Sequence, residues 1–220
     1  MTAGKGWALA RLVMAFGTLW ALVVQFRKVK HEPDLTVGGF FSLFTNESNF
    51  LAAMALIAGG IWLWRGVPAP DWFDFARGAL VTWLALTGIV FIALIVDPDR
   101  RFTYHINEPS DQLHKVMPLF LLADWLLYPP RRAIRQLTSL WWTVPPIAFC
   151  AYSLIRGPLV NWYPYDFLDP NEQGGYGGVA LYVAGIVVGF LLFSALVVWL
   201  GNTVRARRAL RDEVAPQYSA

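Results

Sequence analysis

The chain has 220 residues, with 18 Lys and Arg against 15 Asp and Glu, 56% hydrophobic residues, only 15% charged ones and a net charge of +3. A soluble domain carries about 25% charged residues, so this composition describes a chain dissolved in lipid; it excludes a disordered protein, a disulfide-stapled secreted domain and a soluble nucleotide-binding enzyme. The small positive excess suits the setting of membrane topology better than nucleic-acid binding, and the single cysteine, Cys150, excludes an intramolecular disulfide or a multi-cysteine metal site.

Apolar runs predict six transmembrane helices, near 7–26, 40–64, 76–96, 112–128, 138–156 and 178–202. Only helices or closed barrels satisfy backbone groups in lipid, and these runs do not alternate as barrel strands do. The expectation is one all-α domain over 1–220, a polytopic membrane bundle. The first run, Trp7 to Phe26, is too long for a signal-peptide core and lacks a small-x-small cleavage site before Arg27, so it reads as a retained span. Six spans put both termini on one side. That side holds more of the Lys and Arg, which places both termini in the cytoplasm; the cluster Arg27-Lys28-Val29-Lys30 runs against the rule.

The second span opens with Phe40-Phe41-Ser42-Leu43-Phe44-Thr45-Asn46-Glu47-Ser48-Asn49. At helical spacing Ser42, Thr45, Asn46 and Asn49 share an arc of roughly 100°, and Glu47 points away from it. Polar groups at membrane depth are costly and so are functional candidates. The alternative is that they hydrogen-bond neighbouring helices as packing glue.

The fourth span opens with Asp111-Gln112-Leu113-His114-Lys115-Val116-Met117-Pro118. Asp111 and His114 stand at i and i+3, where a carboxylate can meet an imidazole and fix its tautomer. The alternative is an interfacial histidine beside a capping aspartate. Asp124 is the one acid well inside a span, about 15 Å deeper than His114. It is expected to pair with an arginine or with the hydroxyls of Thr82, Thr87, Thr138 or Ser139, as a structural lock. Pro145-Pro146 is a potential break in the fifth span.

The following loop carries Tyr163-Pro164-Tyr165-Asp166-Phe167-Leu168-Asp169, either an interfacial aromatic belt or the wall of a site. Gly174-Gly175-Tyr176-Gly177-Gly178 lacks the Gly-Lys-Ser/Thr of a phosphate loop and reads as a turn. The tail, Arg205–Ala220, is basic and then polar, an exposed end.

In a six-span topology the Thr45, His114 and Tyr163 clusters lie on one side of the membrane, which implies one cavity. A hydroxyl, an imidazole and a carboxylate there are the parts of a nucleophilic hydrolase. His31, His105 and His114 show no two-ligand spacing and no two spans carry facing histidines, so neither a metal, a haem nor another cofactor is expected.

At these residues the chain resembles a known group. Phe-Phe-Ser-Leu-Phe-Thr45-Asn-Glu-Ser-Asn49 looks like its F-T-x-x-S-N opening, His114-Lys-Val-Met-Pro118 with Asp124-Trp125 like its H-x-x-x-P … D-W span, and Tyr163–Asp169 like its Y-P-Y-P-F-L-D loop. The resemblance, over about residues 10–200, is to bacterial six-pass relatives of the androgen-induced-gene family of integral-membrane threonine hydrolases. Here Asp166 replaces a second proline, and the histidine motif differs in detail from that of the animal members.

The resemblance implies a hydrolase of lipid esters, such as fatty acid esters of hydroxy fatty acids, in a bacterial cytoplasmic membrane. Thr45 would be the nucleophile and His114 the base. Asn46 or Asn49 is then expected to donate to the oxyanion and Asp111 to orient His114, with Ser42, Tyr163 and Tyr165 in support. The expected partners are a fatty-acyl ester and membrane lipids, not nucleic acid. The competing reading is a non-catalytic membrane transporter or lipid-binding scaffold.

Overall fold

The computed structural model describes residues 3–29, 37–96, 98–101, 103–105 and 108–214. Lys30, His31 and the last six residues of the tail lie outside the described residues. The described residues form helices and turns, with no strand among them. Helix α1 is Ala3–Val29 and α2 is Phe44–Arg65. Helix α3 runs Asp71–Val90 and continues as a π-helical turn, Phe91–Ile95. Rod α4 is built from Pro109–Asp111, a π-helical stretch Gln112–Val116, and Met117–Leu127. Rod α5 joins Gln136–Ser139, a 3₁₀ turn Leu140–Thr143 and Val144–Val160; α6 is Tyr176–Val214.

Four stretches are long and apolar enough to cross a membrane: Gly4–Lys28, Phe44–Arg65, Asp71–Ile95 and Tyr176–Glu213. The two rods that hold the remaining expected spans are composite, and proline marks both. Pro145 and Pro146 sit in the first turn of Val144–Val160, where a missing N–H removes no helix bond. The break therefore falls before them, in the 3₁₀ turn. Other boundaries also differ from the hydropathy reading. The second helix starts at Phe44 because the chain turns at Phe41 and Ser42. The third starts at Asp71, behind Pro70, with Asp71 and Asp74 at its positive end.

The outer faces carry large apolar side chains, among them Trp20, Ile155, Leu159 and Leu181. Water would penalise such a surface; hydrocarbon does not. Inside, Ala15, Ala52, Ala53, Leu84, Met117, Trp125 and Val197 bring α1, α2, α3, α4 and α6 together. Small residues let the backbones close up: a Cβ on Gly60 of α2 would lie 3.2 Å from the Ala8 carbonyl of α1. This packing encloses two polar clusters, one at each end of α4.

Candidate active site

Thr45 is the second residue of α2, where the first N–H groups have no partner in the helix and the helix dipole is positive. Its Oγ1 lies 3.2 Å from His114 Nε2. His114 Nδ1 lies 2.8 Å from the Ser110 carbonyl oxygen. A carbonyl only accepts, so Nδ1 holds the ring proton. In the neutral ring Nε2 then presents a lone pair, and the Thr45 hydroxyl donates to it. Phe91 stacks on the imidazole, with centroids 3.9 Å apart and planes 12° apart. The Tyr165 oxygen accepts from the Thr45 N–H at 3.4 Å and lies 3.4 Å from Thr45 Oγ1.

The geometry at His114 follows from Pro118. Met117 N–H bonds the carbonyl of Gln112, five residues back, in place of Leu113. Pro118, the next residue, has no N–H to offer to Leu113 or His114. Two carbonyls are thereby released from α-helical bonding. Asn49 answers the first: its amide nitrogen donates to Leu113 O at 3.2 Å and to Thr45 O at 2.9 Å. The second faces Gly88 of α3, where a Cβ would fall 2.6 Å from the His114 carbonyl oxygen. The π-helical stretch thus turns His114 toward α2, Asn49 clips the two helices together, and Gly88 makes room. Single π turns of this kind recur at functional sites.

Several sequence expectations change here. Asp111 does not orient His114. It is buried, accepting from His105 N–H at 2.8 Å and facing Lys115 Nζ at 2.7 Å, so it organises the turn before α4. Its place at His114 is taken by the Ser110 carbonyl, one residue earlier, which lies one helical turn from residue 114. Asn46 and Asn49 do not offer their amides to an oxyanion. The Asn46 amide donates to Phe40 O at 2.9 Å and that of Asn49 to the two carbonyls above. Ser42 donates to Gly38 O at 2.7 Å and meets Tyr152, so it fixes the turn before α2. Tyr163 packs on Gly157 at the end of α5. Of the two loop tyrosines Tyr165 reaches Thr45, the chain bending at Pro164 and Tyr165. Burial pushes the Tyr165 phenol above its ordinary pKa, and its hydrogen bonds with Thr45 oppose that shift.

Two apolar spaces flank Thr45 and Asn46. A narrow cavity of about 50 Å³ is walled by Phe44, Leu86, Phe149, Tyr165 and Phe190, with Thr45 at its edge. A groove of about 840 Å³ runs between α1 and the start of α2, past Leu22, Phe26, Phe40, Asn46 and Phe50, with Arg27 and Glu47 at its rim.

Asp124 belongs to the second polar cluster. Its Oδ1 accepts from Arg11 Nε and Trp7 Nε1, each at 2.6 Å, and its Oδ2 accepts from Arg77 at 2.9 Å. Arg77 also meets Asp74 at 3.2 Å, and Asp74 meets Arg131 at 3.2 Å. Of the four hydroxyls expected as partners, two are occupied within their own helices: Thr82 donates to Gly78 O and Ser139 to Gln136 O. Arg11 and Arg77 were readable as arginines inside apolar runs, and such residues seek an acid. Counting them only as topology charges hides that. Phe91, Ser110 and Gly88 carry no comparable sequence signal, although Pro118 four residues after His114 announces a disturbed helix.

Among the described residues no group of three or more His, Cys, Asp or Glu side chains is arranged to hold a metal ion. Comparison of the chain with protein-family models, curated proteins and solved structures gives no match.

Proposed function

We propose that this protein is an integral-membrane hydrolase of lipid esters, with six spans and both termini in the cytoplasm of a bacterial cell. The observation that carries this reading is the Thr45–His114 pair: a hydroxyl 3.2 Å from an imidazole nitrogen whose lone pair is left free by the Nδ1 bond to Ser110. That is the nucleophile–base–orienter arrangement, with a backbone carbonyl as the orienter. The two apolar spaces on either side of Thr45 and Asn46 suit hydrocarbon arms on both sides of an ester. The likeness to membrane threonine hydrolases at the same residues points the same way.

In the reaction, Thr45 Oγ1 attacks the ester carbonyl and its proton passes to His114 Nε2. The tetrahedral oxyanion forms at the positive end of α2, beside the Thr45 N–H and the Tyr165 hydroxyl. On collapse the alcohol leaves with the proton from Nε2, and the acyl group stays on Thr45. Water then attacks the acyl-threonine, giving its proton to Nε2, and collapse returns that proton to Thr45 as the fatty acid departs. Stacked Phe91 and the surrounding apolar wall keep bulk water from the ring.

A fluorophosphonate carrying an alkyl chain tests this reading. The purified protein is expected to gain one covalent label, mapped by mass spectrometry to Thr45, and to lose it in Thr45→Ala. Absence of labelling and of ester turnover, with lipid binding retained, would favour the scaffold reading.

A further inference from the structure

At the opposite end of the bundle from Thr45, a cleft of about 470 Å³ opens between the end of α2, the start of α3, the turn after α4 and the late turns of α6. Five arginines line it, Arg11, Arg77, Arg131, Arg205 and Arg208, against the carboxylates of Asp74 and Asp212. Their charges are not equally answered. Arg11, Arg77 and Arg131 are held by Asp124, Asp74 and Asp71. Arg205 and Arg208 make no ion pair among the described residues; Arg208 only touches Leu126 O at 3.4 Å. The Nε of Arg205 is buried and without a hydrogen-bond partner among the described residues.

A guanidinium nitrogen removed from water and left unbonded is costly, and an anion that accepts from it removes that cost. The cleft lies where α6 continues past the other helices, beside the Pro68 and Pro129-Pro130 turns. Asp74 and Asp124 are already shared among the inner arginines, and Asp212, one turn after Arg208 on α6, is a single carboxylate against the two outer guanidinium groups.

We infer that this cleft binds an anionic phosphate group, with Arg205 and Arg208 as the primary donors and Arg131 at the rim. Phosphate offers several acceptor oxygens and matches the planar fork of arginine. The same chemistry is carried by an anionic phospholipid headgroup and by a soluble phosphate. The site is separate from the Thr45 pair and does not rest on the hydrolase reading.

The test uses the full chain in nanodiscs of dioleoylphosphatidylcholine, with or without dioleoylphosphatidylglycerol, and, in the zwitterionic discs, added inorganic phosphate. Native mass spectrometry counts retained phosphatidylglycerol, and thermal unfolding reads stabilisation. A rise in Tm and retained lipid in the anionic discs assign a lipid headgroup; a rise with inorganic phosphate alone assigns a soluble ligand. Arg205→Ala and Arg208→Ala are each expected to weaken the response about tenfold, because each removes one charge-assisted donor. Arg205→Lys, which keeps the charge, is expected to recover part of it. If wild-type protein responds equally to anionic and zwitterionic discs and ignores phosphate, the inference is overturned. The same holds if the folded alanine variants bind as wild type does.

Discussion

At the Asp124 end of α4, opposite charges meet directly. Two arginines and an indole converge on one carboxylate, and a second carboxylate ties Arg77 to Arg131. At the His114 end, about ten residues and 15 Å away along the same rod, the central groups are neutral and bonded through single, directional contacts. The hydroxyl of Thr45 has one strong acceptor, the imidazole, and a phenol beside it. The difference separates a lock from a site fitted to the proposed chemistry. Charges saturated by one another hold helices in place and leave ligand binding at that end to the arginines outside the lock, Arg205 and Arg208. A hydroxyl paired to an unprotonated nitrogen can give its proton away and take it back.

The sharpest way to break the comparison is to remove one group from each end. Thr45→Ala and His114→Ala are expected to lower ester turnover by about 10³–10⁴-fold, since either loss disables the whole relay. Both variants should remain folded: Thr45→Ala deletes the bond to His114, His114→Ala the bonds to Thr45 and Ser110, each worth about 1 kcal/mol, from a bundle held elsewhere. Asp124→Asn should do the reverse. It leaves two buried arginines without their shared anion and is expected to destabilise the fold by about 3–5 kcal/mol. Thermal unfolding and turnover on the same preparations decide the matter. A Thr45 variant that unfolds while Asp124→Asn stays stable would exchange the two roles.

How far these ends could be read from sequence differs in an instructive way. Hydropathy located four helices long and apolar enough to cross a membrane, because that needs only apolar length; the other two expected spans fall on composite rods. It misplaced helix ends where chain-local chemistry decides, at the turn before Phe44 and at Pro70. Thr45, His114 and Tyr165 were legible as polar residues at one depth. Their partners were not, because the choice of Ser110 over Asp111 depends on one residue of helical phase, and that phase is changed by the π-helical stretch before Pro118. Asn49 was expected to serve the oxyanion; it is consumed by a carbonyl that the same stretch releases. The lock at Asp124 was foreseen in kind, and its arginines were visible only as charges.

A smaller effect sharpens the role of the π-helical stretch. Gly88→Ala would press a methyl against the His114 carbonyl, and small-to-large changes of this sort cost about 1–3 kcal/mol. Asn49→Ala removes the clip between the Thr45 and Leu113 carbonyls; Ser48 still donates to Thr45 O, but Leu113 O loses its donor, a cost of similar size. In both variants turnover is expected to fall further than stability alone explains, because His114 moves relative to Thr45. Turnover that tracks only the folded fraction would mean the stretch shapes the bundle and not the site.

The smallest change concerns Tyr165 and pH. A single donor to an oxyanion is worth about 10²-fold, so Tyr165→Phe should lower kcat by up to that factor with little change in KM. The phenol must be protonated to donate. Burial disfavours the phenolate and pushes the Tyr165 pKa above its ordinary value, with the Thr45 hydrogen bonds opposing. A raised pKa keeps the proton on the oxygen through neutral and mildly alkaline solution, so donation persists there and is lost only above about pH 10. On the acid side His114 must be unprotonated to accept from Thr45, so kcat/KM should rise with pH through one ionisation and then level off. Wild type and Tyr165→Phe are therefore expected to trace parallel profiles between about pH 7 and 9, separated by a constant factor. A fall in the wild-type rate within that range that vanishes in Tyr165→Phe would show a phenol ionising below its ordinary value, against the direction burial imposes, and would overturn the role given to the buried contact with Thr45.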